Sequence, residues 1–492
     1  MVVSRVVHLI GVILRVFGLT LAAPLAVSLW YGERWDALGF LVSGIGATAI
    51  GHWMRSAHRA PEELRRTDAL VVVAGAWIVV AVAGAVPYVW VGVTPVDALF
   101  ESMSGLTTTG ATIFEDFSRY GRGLFFWRAL THWLGGMGVI ALFVAVFPKL
   151  AIAGRELFFA EASGPTDETL APQIRKTAAA LWQVYTGLTL LQVVALYVAG
   201  MPVYESVVHA FATLAAGGFS PHPQSIMGYA SPAVEWICIV FMFLAGANFA
   251  LHYRVLRGRP GDLWRDEEFR IYCGIILAAA GLLTWFLAGD YGVVDAVRVA
   301  LFQVVSIITT TGFASVDFQL WDDRSKFVLL VLMFIGGCAG SAAGGPKVVR
   351  QLLIARYTLL ELRRTLHPRA VLPVKLGGRV VPEGVMRSVL VFFLFYLLVF
   401  AVCASFVAAV ENNLIVGITG AIAALGNIGP GFDTIGPMGS FASLHRSSKL
   451  VLTGAMWMGR LELMTVLVLL RPEVWGSASW RRAAPHPTPP SP

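Results

Sequence analysis

Charge is scarce in this 492-residue chain: Asp, Glu, Lys and Arg together make up 14% of it, against about 25% in an average soluble protein. Apolar residues make up 57% and recur in runs of about 20 residues from end to end, which excludes an ordinary soluble domain. Cysteine is scarcer still. Cys238, Cys273, Cys338 and Cys403 all lie inside apolar stretches and form no CxxC pair, so a disulfide framework and a zinc site are both excluded. There is no GxSxG, no HExxH and no pair of aspartates within an apolar segment. The chain therefore lacks the residue sets of an intramembrane enzyme, and nothing in it implies a bound cofactor. Basic residues number 37 against 30 acidic, but the excess sits in short loops between apolar runs. That pattern argues against nucleic acid as a partner and for membrane lipid.

What is present is an all-α membrane pattern. Apolar segments run at about 5–31, 36–57, 69–92, 125–150, 175–199, 231–256, 266–288, 325–356, 383–410 and 447–470. The first has no small-residue cleavage site and reads as a retained helix. Basic clusters follow every second segment: Arg55, Arg59, Arg65 and Arg66; Lys149, Arg155, Arg175 and Lys176; Arg254, Arg257, Arg259 and Arg265; Arg363, Arg364, Arg369, Lys375 and Arg379; Arg471, Arg481 and Arg482. By the positive-inside rule these loops, and both termini, are cytoplasmic.

Four of the opposite-side connections share one grammar: a short apolar segment, a small-residue stretch with glycine, then a polar return. Thr107-Thr108-Thr109-Gly110 and Thr309-Thr310-Thr311-Gly312 are the same tetrapeptide. The other two copies read Ala215-Ala216-Gly217-Gly218 and Gly426-Asn427-Ile428-Gly429. Spacings of 108, 94 and 117 residues between the key glycines make a repeat of helix, re-entrant loop and helix. The expected organisation is two leading helices (1–60), repeat 1 (61–160), repeat 2 (161–260), repeat 3 (261–378), repeat 4 (379–473) and a proline-rich disordered tail (474–492).

Irregular backbone at membrane depth is tolerated only where it is buried or lines a wet cavity. Four such loops meeting on one axis predict rings of carbonyl oxygens around a central ion pore, able to replace the hydration shell of a monovalent cation. The expected ligand set is Thr108, Thr109 and Gly110; Ala216, Gly217 and Gly218; Thr310, Thr311 and Gly312; Asn427, Ile428 and Gly429. Glycine reaches φ > 0 without a Cβ penalty, which lets successive carbonyls face inward.

With these loops the chain resembles the Trk/Ktr/HKT superfamily of potassium transporters over nearly its whole length. Its two leading helices make it most similar to the bacterial TrkH/TrkG branch. The resemblance implies four fused helix–pore–helix units in the bacterial inner membrane, a homodimer with one pore per protomer, potassium as the transported substrate, and a TrkA-like cytoplasmic nucleotide-binding subunit as partner. It makes Gly110, Gly218, Gly312 and Gly429 the filter glycines. Passive permeation, proton- or sodium-coupled symport and a less selective K+/Na+ path are all compatible with the same scaffold.

The eighth segment is interrupted between Gly336 and Lys347 by more helix breakers than a spanning helix accommodates. A phosphate-binding P-loop fails on spacing, since Pro346 stands where Lys is needed. The resemblance implies a mobile intramembrane gate over 336–346, carried by Gly336, Gly337, Gly340, Ser341, Gly344 and Gly345, with Lys347 at its edge. It also implies that Arg460, an arginine inside the last apolar segment, forms a barrier in the pore; such a residue faces a cavity or a partner. Lys347 and Arg350 either contact the gate or snorkel to the surface. Asp97, Glu101, Glu205 and Asp295 are read as complements to pore-helix N-termini or as carboxylates that concentrate cations at the mouth, His132 as a packing residue, and Asn248 as lining the cavity or bonding another helix.

Overall fold

The computed structural model describes residues 3–58, 66–145, 170–367 and 372–469. Several of the basic residues, among them Arg59, Arg65, Lys149, Arg155, Arg369, Arg471, Arg481 and Arg482, lie outside the described residues, as does the tail 474–492. Helices α1 (Val3–Thr20) and α2 (Ala22–Trp30) make one apolar span, and α3 (Arg34–Ser56) returns beside it. Small residues let this pair approach closely: a Cβ at Gly11 would stand 2.7 Å from the Met54 Cβ.

Four copies of one unit follow. The first comprises α4 (Arg66–Trp90), the pore helix α5 (Pro95–Leu106) and α6 (Arg122–Ala145). The second has α7 (Leu170–Val198), the pore helix α8 (Val203–Leu214), α9 (Pro232–Gly246) and α10 (Phe249–Leu256), with α11 (Gly261–Arg265) after it. The third has α12 (Glu267–Tyr291), the pore helix α13 (Val293–Ile308), α14 (Asp323–Met333) and α15 (Val348–Leu366). A two-stranded hairpin, β1 (Lys375–Leu376) and β2 (Arg379–Val380), leads into the fourth. That unit has α16 (Glu383–Glu411), the pore helix α17 (Leu414–Leu425), α18 (Arg446–Arg460) and α19 (Leu463–Leu469). This is an all-α polytopic membrane protein.

A pore helix of 12 residues spans about 18 Å, too little for a hydrocarbon core of about 30 Å. Local chemistry sets where these helices begin. Thr94 caps α5, with Pro95 in its first turn. The Asn413 side chain accepts from the amides of Ile415 and Val416 at the start of α17.

Two expected continuous spans are broken. The segment 231–256 bends by 103° between α9 and α10. The Asn248 side chain caps α10, accepting from Ala250 N at 2.8 Å. The carbonyls of Ala245 and Gly246, freed by the break, accept from Ala342 N at 3.1 Å and Cys338 N at 2.9 Å. A loop from another repeat has thus replaced the missing helical bonds, which is how a membrane segment tolerates a break. The segment 447–470 stops at Arg460 and resumes at Leu463, with Glu462 in left-handed backbone at φ 57°. All four cysteines are free thiols.

Candidate functional site

The four pore helices end in the same way. In the first, Thr109 N–H donates to Ser104 O at 2.8 Å and Thr108 N–H to Gly105 O at 3.1 Å. The same two bonds recur from Gly217 and Ala216, from Thr311 and Thr310, and from Ile428 and Asn427. This nested pair is a Schellman stop, whose first residue past the helix takes left-handed backbone. That residue is ordinarily glycine, yet here it is Thr108 (φ 51°), Ala216 (55°), Thr310 (56°) and Asn427 (53°). Left-handed backbone costs an L-residue about 1–2 kcal/mol, and β-branched threonine is an outlier there. Two residues on, Gly110 (82°), Gly218 (78°), Gly312 (78°) and Gly429 (103°) again have positive φ. Three different tetrapeptides, one of them used twice, have one backbone shape.

The copies close on one another. A Cβ added to Gly110 would run into the carbonyl oxygen of Gly217, and one on Gly218 into that of Thr311. On Gly312 it would strike the carbonyl of Ile428, and on Gly429 it would stand 2.7 Å from that of Thr109. Each glycine thus leaves room for the carbonyl just before the glycine of the next repeat, and the fourth returns to the first. This cyclic contact brings eight of the twelve expected ligand residues together, and the other four, Thr108, Ala216, Thr310 and Asn427, directly precede them in the chain. Above it lies a cavity of 380 Å³ whose floor includes Gly110, Gly218, Gly312 and Gly429. Among the described residues no cluster of three His, Cys, Asp or Glu side chains exists to hold a metal. The oxygens available at the ring are carbonyls and hydroxyls.

A polar side chain on each pore helix braces the extended strand that leaves the ring. Buried Glu101 accepts from Ile113 N at 2.9 Å and from the Thr112 hydroxyl. His209 Nε2 meets Ser220 Oγ at 3.1 Å, Gln303 Nε2 donates to Ser315 Oγ at 3.3 Å, and Thr419 Oγ1 accepts from Phe432 N at 3.0 Å. Glu101 also pairs with buried Arg128 at 2.7 Å, and that guanidinium stacks 4.0 Å above the Phe219 ring. Glu101 is therefore a brace in the second turn rather than a complement to the N-terminus. Asp97 and Asp295 do occupy first turns, paired with Lys449 (2.6 Å) and Arg298 (2.9 Å); Glu205 is in the first turn of α8.

The ring is not fully fourfold. Ser104 and Ser306 each donate to the carbonyl of the residue that follows the ring glycine, Ala111 or Phe313, at 2.6 Å. Thr107 and Thr309 bond Thr109 and Thr311 at 2.8 Å. The second and fourth loops lack these serines and threonines. In their place His132 packs behind Gly217, stacked 4.1 Å from Phe219, and Asn427 Nδ2 donates to Thr109 Oγ1 at 3.0 Å and to Met456 O. His132 is a packing residue, as its sequence context suggests.

Beneath the ring sits the loop between α14 and α15. Gly344 N–H donates to Thr310 Oγ1 at 2.6 Å, and a Cβ at Gly344 would meet the Gly426 carbonyl and Asn427. Gly336, Gly340 and Gly345 have positive φ; Gly337 lies against Ala343 and the Gly246 carbonyl, and the Ser341 hydroxyl bonds Cys338 O at 2.6 Å. Arg460 Nη1 donates to Ala342 O at 2.9 Å, and Lys347 Nζ donates to Ala343 O. The carboxylate of Glu268 accepts from Ala339 N within the loop at 2.8 Å and from Val349 N in the first turn of α15 at 3.1 Å. Arg350 pairs with Glu462 and stacks 4.1 Å over Phe392. Of the two sequence readings, contact with the loop is found for Lys347, whereas the partners found for Arg350 are Glu462 and Phe392.

A family model described as a cation transport protein, TrkH, matches residues 39–480. The Trk system potassium uptake protein TrkH of Escherichia coli (strain K12) is 37% identical over 96% of this chain and 99% of its own length. The Trk system potassium uptake protein TrkI of Halomonas elongata is 33% identical, again over 96% of this chain, and 97% of its own. The crystal structure of the potassium transporter TrkH from Vibrio parahaemolyticus superposes with a TM-score of 0.88 at 35% identity, covering 96% of this chain and all of that one.

Proposed function

The chain belongs to the TrkH family of cation transport proteins, a family of transporters and not of enzymes, and from that premise we propose that it takes up potassium through a gated, channel-like pore. The observation that carries this reading is the closed ring of four glycine–carbonyl contacts. It gathers carbonyl oxygens from all four repeats, the chemistry that suits a dehydrated monovalent cation. The relatives' names, potassium uptake proteins, supply the ion. In this reading residues 108–110, 216–218, 310–312 and 427–429 are the filter. The Gly336–Pro346 loop is the gate, held shut by Thr310, Arg460 and Glu268. Arg460 adds a fixed positive charge that raises the energy of a cation just below the ring.

The repeat boundaries at 61, 161, 261 and 379, the bacterial inner membrane with both termini cytoplasmic, the homodimer and a TrkA-like regulatory partner belong to the same proposal. They rest on the basic-loop pattern and on family resemblance. The test is growth of a potassium-uptake-deficient bacterium at low potassium. Expression of this chain should restore growth, and deletion of Gly340–Gly345 should raise basal flux. Failure of the intact, membrane-inserted chain to restore growth with its cytoplasmic partner present refutes the potassium assignment.

A further inference from the structure

Beneath the gate loop is a small enclosed cavity of 40 Å³, lined among others by Lys347, Arg350, Tyr396, Arg460 and Glu462. Its charges do not balance. Three cations face it and Glu462 is the one carboxylate in the lining, already paired with Arg350. Glu268, the next carboxylate near Lys347, is occupied by the amides of Ala339 and Val349. The donors do not balance either. Arg460 is 5% exposed, and among the described residues its Nε and Nη2 have no hydrogen-bond partner; the Tyr396 hydroxyl, at 2% exposure, has none there either. Lys347 and Arg460 each spend one donor on a loop carbonyl, Ala343 and Ala342. What the cavity lacks is an acceptor bearing negative charge.

We infer that this cavity is a binding site for a small monovalent anion of the chloride class. Buried donors left unpaired cost about 1–3 kcal/mol each, more when charged, and bonds from guanidinium to an anion are among the strongest available. The size limits the ligand. A site of 40 Å³ holds one halide or about one to three waters, and it has no room for a nucleotide or a phospholipid headgroup. An anion here would bridge Arg460 on α18, Tyr396 on α16 and Lys347 at the shoulder of the gate loop. Two helices and the loop would then be tied through one ion, and the ion would stabilise the closed loop. The assignment does not depend on which cation crosses the ring.

The experiment uses the full chain in detergent or nanodiscs at constant potassium and ionic strength, with chloride replaced stepwise by gluconate. Thermal unfolding should shift upward with chloride, by about 2 °C over the titration and with the logarithmic dependence of a single bound ion. Bromide should reproduce the shift and give an anomalous peak beside Arg460. Tyr396→Phe, which keeps the ring and removes one donor, should weaken the chloride midpoint several-fold, and Arg460→Gln should abolish the shift. Equal melting in chloride and gluconate with no bromide peak overturns the inference. So does a chloride shift that persists unchanged in both variants, or stabilisation by phosphate but not by halide. Because melting and bromide occupancy are read without transport, a chain that moves no potassium can still pass or fail this test.

Discussion

Replacing Gly312 by alanine should cost the ring its discrimination between potassium and sodium, while Gly292→Ala should not. The pair separates two effects that a single glycine substitution confounds. Gly292, between α12 and α13, has φ 73° and ψ 156° with nothing within 4 Å of the position a Cβ would take. That backbone is nearly glycine-only, so alanine there costs about 1–3 kcal/mol of strain and nothing else. Gly312, at φ 78°, carries comparable backbone strain. Its Cβ would also strike the Ile428 carbonyl and stand 2.8 Å from Pro430 Cδ. Only that second term reaches an ion ligand. Displacing one carbonyl in four is expected to remove about 1.4 kcal/mol of preference for potassium, about a tenfold change in selectivity. Proteoliposomes with matched protein content, assayed for rubidium uptake against competing sodium, measure it directly. Unchanged selectivity in Gly312→Ala would show that the ring contact does not position a ligand. Equal losses in Gly292→Ala would show that strain alone explains the effect.

Arg460→Ala removes the donor to Ala342 O and a buried charge beneath the ring; basal rubidium flux should rise several-fold, read in the same vesicles. Thr310→Val deletes the acceptor of Gly344 N–H, leaving a buried amide unpaired at about 1–3 kcal/mol. The gate loop should loosen, and the native thiol of Cys338, 1% exposed, should react faster with a water-soluble maleimide, while Thr310→Ser should not change its rate. Glu101→Gln strips Arg128 of its counter-charge, and breaking a buried pair costs about 3–5 kcal/mol. A large drop in melting temperature is expected, with partial recovery when Arg128→Met is added; full stability of the single variant would sink the brace assignment.

Periodicity and length made the four units, the two leading helices and the glycine-rich interruption readable, because each depends on local composition. Gly110, Gly218, Gly312 and Gly429 were readable as a set because their spacing repeats. The break between Gly246 and Phe249 was not. Gly-Ala-Asn is a weak local signal, and the bonds that make the bend tolerable come from Cys338 and Ala342, nearly a hundred residues away. The left-handed Thr108 and Thr310 were equally hidden. Threonine is among the last residues that propensity would place there, and the neighbouring repeats, not the local sequence, hold the shape. The role of Glu101 is hidden too: nearness to the helix start suggests dipole compensation, whereas its partners Arg128 and Ile113 are brought in by the fold.

The head-to-tail contact around the ring has a consequence for how such a chain diverges. In a pore built from four identical subunits, any substitution is made four times at once. In a fused chain each quarter is free to drift alone, and these four have. Yet the room that one quarter needs is provided by the missing side chain of its predecessor: Ile428 by Gly312, Thr109 by Gly429. Tolerance at any one filter position is thus written in the adjacent quarter, and the direction is fixed, running from first to second to third to fourth and back. Divergence of the quarters is permitted in what lines the ring and forbidden in what seats it.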